Sequence, residues 1–166
     1  MTKLWTRLSL LSLCLAWTAC DKSTGPSGTG DELPPGHYFI LSDNDDFYRF
    51  DQYLVVLPGH AWEFVEYGYP PGQKANLCQV TRQGGVYSTT DTSITMTATK
   101  EGESLQKCGL TKAEFQAYPF TAVPSHPKQT FALRNVTATG FEAEDLFIGA
   151  DTWVMYRQVA DPYGFY

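Results

Sequence analysis

In Ser93-Ile94-Thr95-Met96-Thr97-Ala98-Thr99 every second residue is apolar and the others carry hydroxyls. That period fits a strand with one buried and one wet face. It recurs where Trp62 and Phe64 flank Glu63, in Phe131 and Leu133, and in Trp153 and Met155. Turn signals separate such runs at short intervals: Pro58-Gly59, Pro70-Pro71-Gly72, Gly84-Gly85, Glu101-Gly102, Gly140 and Gly149-Ala150-Asp151. The spacing predicts an all-β chain, an antiparallel meander of about eight to ten short strands closed into a barrel or split into a two-sheet sandwich. One helix is expected: Thr111 and Glu114 stand at capping-box spacing ahead of Phe115-Gln116-Ala117-Tyr118, and Pro119 stops it.

The first 20 residues obey a different rule. Lys3 and Arg7 precede a short apolar core over residues 8–16, too short for a permanent span of roughly 20 apolar residues, and no acidic residue occurs before Asp21. This is the layout of a secretory signal. Its ending, Trp17-Thr18-Ala19-Cys20, resembles the lipobox of bacterial lipoproteins, with Trp17 where Leu is usual. The resemblance implies cleavage after residue 19, diacylglyceryl modification of Cys20, and a membrane partner reached through that anchor. Buried acyl chains contribute about 0.8 kcal/mol per methylene. The address expected is therefore the bacterial cell envelope, at either membrane; an unlipidated secreted product is the alternative.

Residues 20–36 then read as the lipidated cysteine and a tether, because DKSTGPSGTGDELPPG holds no aromatic and a single large apolar residue, Leu33. Residues 37–166 are the size of one domain. Removing Lys3 and Arg7 from the 12 basic residues leaves 10 against 18 acidic ones, a net charge of −8 that repels phosphate backbones and disfavours nucleic acid. With Cys14 lost and Cys20 acylated, Cys78 and Cys108 remain. An even pair in an exported chain predicts one disulfide, with two free thiols or a two-cysteine metal site as the competing states.

Catalytic motifs are missing from the sequence. His37, His60 and His126 are dispersed and read as loop residues, so no metal or other cofactor is expected. No G-x-S-x-G elbow or phosphate-binding glycine loop occurs, and Asp43-Asn44-Asp45-Asp46 lacks the glycine and terminal glutamate of a calcium loop. Glu142 and Glu144 share a strand face, which more often marks a wet sheet than a glycosidase pair. The expectation is a non-enzyme; a hydrolase site assembled from distant segments is the class that motifs do not address.

The order Trp62-x-Phe64, Gly85-Val86-Tyr87, Ser93-Ile94-Thr95-Met96 and a closing Met155-Tyr156-Arg157 is similar to bacterial lipocalin-like lipoprotein domains over residues 60–159. The resemblance implies a lipocalin-like barrel and transfers no ligand residue. High aromatic content inside such a barrel points to a small apolar ligand, with Trp62, Phe64 and Trp153 as candidate contacts. The second expectation is an interaction module that meets an envelope protein or a cell-wall polymer through Phe47, Tyr48 and Tyr53 or the terminal DPYGFY aromatics.

Overall fold

The computed structural model describes residues 32–102, 104–144 and 153–166. The segment expected to act as a signal, and Cys20, lie outside them. The elements are β1 (Gly36–Asn44), β2 (Arg49–Leu57), β3 (Ala61–Tyr69), β4 (Gln79–Thr89), β5 (Ser93–Gly102), β6 (Leu105–Gln106), α1 (Lys112–Ala117), β7 (Phe120–Ala122), β8 (Lys128–Thr137), β9 (Gly140–Glu144) and β10 (Trp153–Val159). Strands β1 to β5 and β8 to β10 form an antiparallel meander. It closes because β4 pairs with β5 and β1 with β10. The result is an eight-stranded, lipocalin-like barrel, not a sandwich, and β6, α1 and β7 are an insertion between β5 and β8.

Alternation decides which residues face in. The pairs Tyr87↔Met96, Ile94↔Phe131, Leu133↔Ala143 and Phe141↔Tyr156 stack as inward rows. With Tyr38, Leu54, Val56 and Trp62 they form the inner core. The rings of Phe141 and Tyr156 stack at 5.2 Å, and Tyr38 lies 5.1 Å from Phe141. Burial raises the Tyr38 hydroxyl to a pKa of about 12, helped by Tyr87.

Gly84-Gly85, expected as a turn, sits inside β4 at a bulge. Both glycines serve close approach. A Cβ on Gly85 would lie 1.9 Å from the Thr97 carbonyl oxygen, so Gly85→Ala is expected to cost on the order of 1–3 kcal/mol in urea denaturation. An unchanged midpoint would refute this account of the glycine.

The two poles of the barrel differ. Where β1 begins, the lower pole, residues 32–35 are part of the fold and not of the tether expected to run to residue 36. Leu33 is buried in the core, its N–H donating to the Tyr87 hydroxyl at 3.0 Å. Tyr38 Oη donates to the Pro34 carbonyl, Gln158 Nε2 to that of Pro35, and Glu32 accepts from the Gly59 and His60 amides. One large apolar residue cannot order such a segment alone, but a preformed apolar end of the barrel gives Leu33 its partner.

A second core lies outside the barrel. Tyr53, Val55, Val65, Tyr67 and Val80 of β2 to β4 face outward and are covered by Leu77, Leu110, Phe115 of α1, and Phe165. Phe115 and Phe165 stack at 4.6 Å. Tyr53 and Phe165, expected at the surface, are thus buried in this layer, and Tyr163 and Tyr166 are partly buried against it. The capping box of α1 is present as expected, Thr111 and Glu114 each accepting from the other's backbone N–H.

Candidate functional site

The upper pole, at the β1–β2 turn, carries a group of inward residues that solvent still reaches. Cross-strand register places Gln52, Glu66 and Thr81 in one row and Phe64 and Gln83 in the next; Gln129 faces in from β8 opposite Met96. All six are half-buried. Gln52 Nε2 donates to Glu66 at 2.7 Å. Below them Ile40, Phe64, Phe131 and Val154 pack on the inner core as its partly exposed roof. This end of the barrel, with partly exposed Phe64 and Phe131 beneath inward-facing amide side chains, we term the cup. A shallow recess elsewhere, between the β4–β5 turn and the end of β8, has a lining that includes Thr90, Asp91 and Asn135. Its Arg134 is bound to Glu142 and lies 3.9 Å over the Trp153 ring.

Of the three ligand residues expected from sequence, only Phe64 lines the cup. Trp62 faces in but is buried lower down, its indole donating to the Val86 carbonyl at 3.0 Å. Trp153 stands on the outer wall, 39% exposed, because its register with Glu144 puts it on the opposite face from Val154. A molecule inside the barrel does not meet it. Cys78 and Cys108 form the expected disulfide. Phe47 is 76% exposed at the β1–β2 turn, where Asp45 Oδ1 accepts from the Phe47 and Tyr48 amides.

Sequence reasoning missed the charged groups under the outer layer. Glu63 is 3% exposed and faces outward between barrel and tail. It accepts from Arg82 at 2.7 Å, Lys100 at 2.6 Å and the Tyr166 hydroxyl at 2.6 Å. Arg82 also donates to the Phe115 carbonyl and lies 4.1 Å over that ring. Gly84 leaves room for this meeting, since a Cβ there would lie 2.6 Å from Lys100. Burial opposes ionisation of Glu63, yet the hydrogen bonds from Lys100, Tyr166 and Arg82 outweigh it and hold the carboxyl below its ordinary range. Asp51 repeats the pattern with Lys74, Ser42 and Tyr69.

His37, expected in a loop, is instead buried on the outer face of β1, where its Nε2 has no hydrogen-bond partner among the described residues. The Tyr166 ring meets it edge-on at 5.0 Å, and Asp161 lies 3.9 Å away. Asp161 itself accepts from the Tyr163 and Tyr166 amides and so holds the tail. Burial lowers the His37 pKa, and the opposing pull of Asp161 does not restore it. A base with a lowered folded pKa binds protons better when unfolded, so stability is lost as pH falls below about 6.5. His37→Gln is expected to flatten that limb of the stability profile; an unaltered profile would assign it to other groups.

Among the described residues no three His, Cys, Asp or Glu side chains converge as metal ligands. Fold and site together define a lipocalin-like barrel with one plugged pole and one solvent-accessible, amide-lined pole. No family model matches the chain, and neither does any curated protein or solved structure.

Proposed function

We propose that this chain is a lipid-anchored protein of the bacterial cell envelope whose barrel binds a small molecule at its upper pole, without catalysis. The contrast between the poles carries the reading: Leu33 fills one end, while Phe64, Phe131, Ile40 and Val154 at the other remain partly wet above a packed core. Half-wet apolar side chains facing into a barrel gain from a ligand that removes them from water. The Cys20 pattern and the tether support the anchor, and the disulfide suits an oxidising compartment. The plug also sets direction. The chain enters at the lower pole, so an anchor at Cys20 leaves the cup at the far end of the domain.

The test is native mass spectrometry of the exported chain with Cys20→Ser. A ligand mass released on denaturation is expected, lost in Phe64→Ala and kept in Trp153→Ala. A bare chain whose upper-pole resonances respond to no small molecule would overturn the reading. Mass analysis of the unaltered chain tests the anchor separately: an acylated Cys20 as first residue is expected, and an unmodified one refutes it.

Phe47 favours a second reading, an interaction module for an envelope protein or cell-wall polymer. A large apolar ring held in water by a hydrogen-bonded turn suits insertion into a partner's pocket. Under that reading Phe47→Ala abolishes envelope retention of the Cys20→Ser chain, and Phe64→Ala leaves it intact.

A further inference from the structure

We propose that the upper pole selects an uncharged, polyhydroxylated ligand of saccharide type and rejects both alkyl chains and anions. This rests on the small-molecule reading above and names the ligand chemistry of the same site. The wall of the cup is rich in amides. Gln52, Thr81, Gln83 and Gln129 enter the cup from three different strands, and Glu66 sits between Gln52 and Thr81 in the register. Each glutamine amide offers two donors and an acceptor, and a sugar hydroxyl is likewise both donor and acceptor. An alkyl chain sliding past this row would strip water from these groups and return no hydrogen bond, leaving each of them unmet.

Charge removes a second class. Among the described residues that face the barrel interior there is no Lys or Arg, whereas Glu66 faces in and Asp43 and Glu101 hold inward register positions nearer the rim. A carboxylate or phosphate ligand would lose water beside Glu66 without a cation to replace it. A neutral ring avoids both penalties. Its hydroxyls match the amides, the Glu66 carboxylate accepts from them, and its C–H face lies on Phe64 and Phe131 in the floor.

The experiment is a titration of the isotope-labelled Cys20→Ser chain at neutral pH, read on side-chain amide resonances, with N-acetylglucosamine, cellobiose, dodecanol, palmitate and choline as probes. The expected result is movement of the Gln52, Gln83 and Gln129 amides with a neutral saccharide, and none with palmitate or dodecanol. Gln83→Leu is expected to weaken saccharide binding about tenfold, the loss of roughly one hydrogen bond. Thr81→Val, nearly the same shape, is the second variant if the first does not fold. Movement with dodecanol, palmitate or choline but not with saccharides overturns the ligand class and leaves the small-molecule reading standing. No movement with any probe, together with a bare chain in native mass spectrometry, overturns both.

Discussion

Glu63→Ala is expected to remove on the order of 3–5 kcal/mol of stability, because it strands a guanidinium that cannot reach water. Arg82 is 8% exposed and lies between Phe115 and Phe120, 4.1 and 4.4 Å from their rings. Lys100 is about one-third exposed and can re-solvate, so the penalty falls mainly on Arg82. The Tyr166 hydroxyl loses its acceptor at the same time, and with it one tie of the tail. Replacing Glu63 and Arg82 together by Leu and Met should recover much of the loss, since the cost of a broken buried pair is chiefly the orphaned charge. A single-variant loss below about 1 kcal/mol would mean that the layer opens freely and that Arg82 is hydrated already.

The same carboxylate sets the acid limb of stability. Its folded pKa is lowered, and so is that of Asp51. Their contribution is thus present above the ordinary carboxylate range and is lost as pH falls below about 4. Glu63→Gln should shallow that limb while Asp51 maintains the rest of it.

Alternation made the barrel wall legible in the sequence. Ser93 to Thr99 and the Trp62, Phe64 pair are strands with the faces expected, because a half-buried strand has one sequence solution, period two. The outer layer was not legible. Tyr53, Val55, Val65 and Tyr67 face away from the barrel, and only the fold shows that Phe115 and Phe165 come from distant segments to cover them. Their abundance was the available signal, since one interior cannot hold every ring that DPYGFY and FYRFDQY supply.

Gly84-Gly85 failed differently. As dipeptides such pairs usually mark turns, and the close approach of Thr97 that requires a glycine in mid-strand is a cross-strand fact. The cup shows the same limit. Phe64 was found because it alternates with Trp62, but Gln52, Gln83 and Gln129 look like ordinary polar residues until closure turns their faces inward. Trp153 sits one residue out of phase with its inward neighbours Val154 and Tyr156, a distinction that needs the register with β9.

Replacing Cys78 and Cys108 by serine is expected to cost about 3–4 kcal/mol, the loop-closure value for a crosslink spanning 30 residues. For a domain of this size that is a fall in melting temperature on the order of 10 °C. The loss should also be local. Cys108 lies just before α1, and the crosslink is flanked by hydrogen bonds from Lys107 to the Cys78 carbonyl and from Gly109 to that of Leu77. Freed of the bridge, α1 and Phe115 should exchange amide hydrogens faster, while β9 and β10, which lie outside the insertion, should not. Because Phe115 also roofs Arg82, removing the disulfide and replacing Glu63 by alanine both release one layer, and their combined cost should fall short of the sum. Strict additivity would show that the bridge acts through the unfolded chain alone and that the outer layer does not act as a unit.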